Sequence, residues 1–340
     1  MGARFGLFRI KAPPPHAQLG FFRYNRAPVV AVLGFALSFF QTILRRTYDN
    51  PWLLIGLTCV FWAGNVVAAR VAIGEISPML LVCGRWCIAS IILIAFARRP
   101  FLEDWPSLAP HWLRVFTMGC CGFTLFHAVY YVSAYFTTGV NLAIIQGVSP
   151  VFVLLGAWVM WRTPVRAVQI AGCTLTMTGV IIVATHGDVL SLKDFNFRIG
   201  DLGVLCSTLI YSGYALSLRN RPKSSSLGFF VAMAFAGLLS SFPLVALEAT
   251  AGRLVWPTQT GWIVLLYTAI FPSLLAQLFF IRAVELIGPG RATLFYNMTP
   301  VLGAIFAALM LHEPFEPHHA VGLAFVIGGV TIAERLGRRP

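Results

Sequence analysis

Arg85 is the residue whose placement costs this chain most. It lies about a third of the way into the otherwise uncharged run 78–97. In lipid, a charge at that depth costs on the order of 3 kcal/mol or more. It either lines a cavity and meets a substrate carboxylate or phosphate, or it snorkels to headgroups or pairs with Glu75 a loop away. Arg70 sits nearer the end of its own run, where snorkelling is expected. His127 shares one helical face with Thr124 and Tyr131, at i, i+3, i+7 spacing. That face is either a polar wall with a titratable imidazole or a hydrogen-bonded packing surface. Trp62 and Asn65 form an i, i+3 pair, as do Tyr211 and Tyr214. The two pairs either face each other across a cavity or pack as ordinary aromatics. Gln146, Gln277, Tyr296 and Asn297 are polar groups at membrane depth, where lipid offers no hydrogen-bond partner.

Other chemistries lack their parts. His127 is the only histidine in mid-run, and no G-x-S-x-G occurs. An intramembrane enzyme needs a nucleophile–base pair or metal ligands at depth, so catalysis is not expected. No carboxylate lies well inside any run, so a proton carrier of the carboxylate type is not evident. Cysteines 59, 83, 87, 120, 121, 173 and 206 all fall in apolar runs without a CxxC and partner His cluster. They read as free, buried thiols, with no metal and no cofactor.

The elements that hold these residues are apolar runs. The chain has 340 residues, 58% hydrophobic and 11% charged, with mean hydropathy +0.79. This is the composition of an all-α multi-pass membrane protein. Ten runs, near 52–73, 78–97, 115–134, 139–161, 167–185, 201–219, 227–247, 260–282, 291–311 and 318–334, match a hydrocarbon core of roughly 30 Å. An earlier run, 27–44, is marginal and reads as an interfacial helix of a basic cytoplasmic extension, residues 1–49. Pro150, Pro272 and Pro300 lie inside runs and can kink them.

The net charge of +13 does not point to nucleic acid, because the basic residues sit in short loops. With the N-terminus inside, 20 of the 25 basic residues fall on the inner side, against Lys193, Arg198 and Arg253 outside. By the positive-inside rule both termini are cytoplasmic.

The chain also repeats itself at an offset of 150 residues. Pro150, Ala157, Met160, Pro164, Gly172 and Gly179 recur as Pro300, Ala307, Met310, Pro314, Gly322 and Gly329, without a gap between Asn141 and Ile182. Each unit holds five runs. Five is odd, so the second copy enters the membrane upside down. The basic loop WRTPVR (161–166) then lies inside and its acidic counterpart LHEPFE (311–316) outside. The predicted fold is ten transmembrane helices as two inverted five-helix repeats, 50–185 and 200–334, with a site near the midplane between them. Glu313, Glu316, His318 and His319 read as a solvated outer loop, with an outer gate as the alternative. The Gly172/Gly179 and Gly322/Gly329 pairs, with Gly303, Ala304, Ala307 and Ala308, read as close helix packing or as a homodimer seam.

Several local motifs accompany this pattern. Trp62–Asn65 is followed by Arg70, and Arg85 lies in the second run. Ser149–Pro150 and Thr299–Pro300 lie in the fourth and ninth runs, and His312–Pro314 follows the ninth. Over residues 52–334 the chain resembles the EamA-type branch of the drug/metabolite transporter superfamily. It departs from that pattern at Thr163, where the family and the second repeat carry Glu, and in its long N-terminal lead. The resemblance implies secondary transport of small metabolites or drugs, often efflux. The expected function is therefore a plasma (inner) membrane exporter of an amino acid-like or amphiphilic metabolite by alternating access. Import, exchange and a non-transporting scaffold or receptor are the alternatives. Expected partners are the small-molecule substrate and the bilayer.

Overall fold

The computed structural model describes residues 49–188, 198–288 and 298–333, and every regular element among them is helical, without a strand. The extension 1–49, apart from its last residue, and the site candidates Tyr296 and Asn297 lie outside the described residues. Helix α1 (Pro51–Val71) starts where Asn50 accepts hydrogen bonds from the Trp52 and Leu53 amides and Pro51 occupies the first turn. Helix α2 spans Pro78–Leu108. It runs past the expected end at 97, with Pro100 and Pro106 carried inside it. Beyond a 3₁₀ turn, α3 (Trp112–Gly119) passes through a π-helical stretch, Cys120–Leu125, into α4 (Phe126–Ser133). Then come α5 (Gly139–Gln146), α6 (Ser149–Trp161) and α7 (Ala167–Ala184).

The second half repeats this order. It comprises α8 (Ile199–Ser217), α9 (Ser226–Thr250), α10 (Gln259–Thr268), a second π-helical stretch at Ala269–Leu275, α11 (Ala276–Ile287), α12 (Thr299–Met310) and α13 (Pro317–Thr331). Seven helical stretches among the described residues are long and apolar enough to cross a membrane, and α12 is a shorter apolar helix. The chain is an all-α membrane protein. Packing also repeats: α2 lies along α9 and α7 along α13, while α1 packs on α11 and α12 as α8 packs on α4 and α6. Even the backbone exceptions recur. Arg162 and His312, 150 residues apart, both take left-handed φ of 53° without being glycine.

Two loop assignments change, and the glycine pairs take the first of their two readings, close helix packing. The glycines read as a possible dimer seam are used inside the chain. A Cβ on Gly172 would sit 2.5 Å from the Gly329 carbonyl, and one on Gly179 would sit 2.6 Å from the Gly322 carbonyl. Helices α7 and α13 therefore touch backbone to backbone. Arg70 does not snorkel: its Nη1 donates to the Ala134 carbonyl (2.5 Å) and its Nε pairs with Glu313 (3.3 Å). Glu313 is not a solvated loop residue either. Its carboxylate accepts the Gly139 and Val140 amides at 2.9 and 3.0 Å, closing the N-terminus of α5, where unsatisfied amides and the helix dipole favour an anion. All seven cysteines are free, but only Cys59 and Cys83 are buried as expected; Cys87, Cys120, Cys121 and Cys173 are partly exposed and Cys206 is exposed.

Candidate substrate cavity

Both π-helical stretches face the same cavity, and both owe their chemistry to backbone groups released there. In the second stretch, Pro272 has no amide to give the Thr268 carbonyl. The Ser273 hydroxyl donates to that oxygen instead, at 2.6 Å. The Pro272 carbonyl accepts the indole N–H of Trp62 at 3.1 Å. In the first stretch, the Phe123 carbonyl accepts the indole N–H of Trp86 and Nδ1 of His127, each at 2.8 Å. Residues 123 and 272 stand 149 apart, so each repeat presents one carbonyl to a tryptophan from a neighbouring helix. The Trp86 and Phe123 rings stack at 4.2 Å, 6° from parallel. Sequence periodicity of 3.6 does not show a π turn, though such turns collect at functional sites.

Arg85 closes the wall. It is 1% exposed. Its Nε donates to Ser273 Oγ (2.7 Å), and its Nη1 donates to Tyr131 Oη and, at 3.5 Å, to Asn65 Oδ1. Tyr131 in turn donates to Asn65 Oδ1 at 2.8 Å. The guanidinium carbon lies 5.7 Å from both the Trp86 and the Tyr131 ring centres. Neither snorkelling nor pairing with Glu75 occurs, since Glu75 accepts instead from the Thr258 hydroxyl. No carboxylate among the described residues pairs with Arg85. Among the described residues all its acceptors are neutral oxygens, and Nη2 has none.

The cavity, together with the open solvent at its mouth, spans about 570 Å³ of non-atom space. Of the candidates, Trp62, Asn65, Arg85, His127, Gln146, Tyr211 and Gln277 line it. His127, with Nδ1 held by a carbonyl, keeps Nε2 as an acceptor in its neutral form. Tyr131 stands behind Arg85 as its positioning partner. Tyr214 does not line the cavity; it packs 5.9 Å from Phe123 and 5.6 Å from Tyr211. Thr124 leaves the predicted polar face and donates to the Gly237 carbonyl at 2.7 Å, because the intervening π turn shifts the register. Sequence reasoning missed Ser273, Trp86, Phe123 and Thr299. Ser273 follows Pro272, which was read only as a kink. A second, mostly apolar pouch, lined by Gly147, Pro150, Pro300, Val326 and Ile327, adjoins the first through the shared Gln146 and Thr299. It forms where α5 breaks from α6 before Pro150 and where α12 begins with Thr299–Pro300.

The sequence matches the profile described as the EamA-like transporter family twice, over residues 50–185 and 198–334. The chain belongs to this family. It is 26% identical over 285 residues to an "Uncharacterized transporter" of Archaeoglobus fulgidus, covering 82% of this chain and 96% of that one. It is 24% identical to "Uncharacterized transporter YetK" of Bacillus subtilis, over 88% and 91% of the two chains. Similarity extends to "Protein PecM" of Dickeya dadantii, 24% identical over 76% and 83%. A crystal structure sharing 18% identity matches with a TM-score of 0.60 over 84% of this chain and 98% of its own, which shows a shared fold. This EamA-like chain is thus a multi-pass membrane transporter.

Proposed function

We propose that this EamA-like protein exports a small amphiphilic metabolite with an anionic end, by alternating access between two inverted five-helix repeats, 50–185 and 200–334. Residues 1–49 form a basic cytoplasmic extension, and both termini face the cytoplasm of the plasma (inner) membrane. The observation that carries the reading is Arg85: a buried guanidinium in a cavity wall, bonded among the described residues to neutral oxygens alone. A buried charge without a counter-ion is costly, and a carboxylate or phosphate arriving from solvent relieves it through charge-assisted hydrogen bonds. The rings of Trp62, Trp86, Phe126 and Tyr211 and the adjoining pouch suit an apolar body, while Gln146 and Gln277 suit a polar linkage. Ligand sites generally combine apolar walls with a few convergent polar groups in this way.

Cargo and topology are tested separately. Purified protein heated with a panel of aromatic and aliphatic carboxylates, their amides and matching amines should be stabilised by the acids alone. A ligand at about 100 times its dissociation constant adds roughly 2.7 kcal/mol. Equal stabilisation by amides and acids would remove the anionic end from the proposal. For topology, a cysteine-free background carrying Thr163→Cys or Phe315→Cys places one thiol in each of the two equivalent loops, both exposed. A membrane-impermeant maleimide should label Phe315→Cys from outside and Thr163→Cys only after permeabilisation. Labelling of both from one side would sink the inverted arrangement.

A further inference from the structure

One carboxylate is buried away from the cavity, and nothing in the reading above uses it. Asp201, in the first turn of α8, is 0% exposed. The hydrogen bonds leading to it form a single directed chain. The Glu316 amide donates to His319 Nδ1 at 3.0 Å, which leaves the proton of the neutral ring on Nε2. His319 Nε2 then faces Asn141 Oδ1 at 3.3 Å. Asn141 Nδ2 donates to both Asp201 oxygens at 3.2 and 3.4 Å, and the Thr137 hydroxyl donates to Oδ1. Every donor points toward Asp201, so the chain ends on a negative charge.

This chain ties the halves together. Thr137 and Asn141 belong to the first half, Asp201 and His319 to the second. Just before Asn141, the Gly139 and Val140 amides of the α5 N-terminus are also held by Glu313, which Arg70 pairs. The charged or titratable groups around Asp201 are few. His186 from the end of α7 and Arg198 at the α8 N-cap act on it. Helices α4 and α5 contribute only neutral groups, Ser133 beside Gly200 and Gly203 and Asn141. Beyond His319 stand His318, whose ring centre is 4.0 Å away, and Glu316, 3.2 Å from His318. No lysine or arginine pairs with Asp201 as a salt bridge among the described residues. These side chains do not form a metal site either.

We propose that Asp201 is a proton-binding site, and that a proton arriving on it from solvent unfastens this end of the repeat interface, so that transport is coupled to protons. A neutral carboxyl is a weaker acceptor and brings a hydrogen of its own. The Thr137 hydroxyl and the Asn141 amide then lose their anionic acceptor, and the directed chain through His319 no longer has an end. The α5 N-terminus keeps only Glu313 and its Thr138 cap.

The test is hydrogen–deuterium exchange of the full chain in nanodiscs at pH 5.5 and 7.5, corrected for intrinsic exchange chemistry. Wild-type amides of segment 139–146 should exchange about tenfold faster at the lower pH. Asp201→Asn, similar in shape but uncharged, should show the faster exchange at both. Wild-type exchange that does not change with pH overturns the proposal, as does an Asp201→Asn protein that stays slow or keeps the wild-type pH response. If Asp201→Asn does not assemble, wild-type exchange that does not change with pH still overturns the proposal. Arg85→Ala should keep the pH response, which separates this site from the cavity reading.

Discussion

Arg85→Ala is expected to insert and fold but to lose about 10- to 100-fold in transport and in ligand stabilisation of the acid series. The magnitude follows from charge-assisted hydrogen bonds, each contributing about 1.5–3 kcal/mol. The fold survives because the neighbours of Arg85 keep partners without it. Ser273 still donates to the Thr268 carbonyl, and Tyr131 still donates to Asn65. Removing a buried charge bonded only to neutral groups also removes its desolvation cost, so stability should change by no more than about 2 kcal/mol. Thermal unfolding checks the second half of the expectation and uptake into proteoliposomes the first. A fully active Arg85→Ala would make the residue structural. A variant that fails to insert would mean the guanidinium holds α2, α4 and the second π stretch together.

Gly329→Ala is expected to be strongly destabilising. Its Cβ would fall 2.4 Å from the Gly172 carbonyl and 2.6 Å from the Thr176 amide, and neither backbone atom can turn aside as a side chain does. Helices α7 and α13 would have to separate along their whole seam. Overpacking of this kind costs about 1–3 kcal/mol and occasionally more. The same substitution at Gly56, where nothing lies within 4 Å, should instead be neutral or slightly stabilising, because alanine gives up less backbone freedom in a helix. Thermal unfolding of the two variants side by side checks the contrast. Equal effects would mean the seam is looser than its geometry.

The repeat was legible because it rests on residue identities at one offset, and Pro150 with Pro300 or Gly172 with Gly322 needs no structure to be seen. Arg85 was legible because a charge inside an apolar run has no cheap explanation. The positions that were misread share a physical cause. Thr124 left its face because periodicity assumes a uniform turn, and a π stretch inserts an offset that hydropathy does not register. Glu313 and His319 look like solvated loop residues by composition, yet a loop that folds back over a helix N-terminus finds free amides there. Asp201 escaped notice because it sits at the edge of its run, where depth along the chain says nothing about how much protein covers it. Ser273 is polar but small, and only the missing amide of Pro272 gives it a task.

The two released carbonyls have a consequence of an optical kind. Trp62 and Trp86 have indole N–H groups fixed by protein oxygens, and both rings border the cavity. Trp52, Trp105, Trp112, Trp256 and Trp262 lie 49–72% exposed on the outside of the protein. Indole emission follows the polarity around the ring. A molecule that displaces water from the cavity changes the surroundings of these two rings and leaves the outer ones as they were. The fold thereby carries a fluorescent gauge of its own occupancy, with no dye attached.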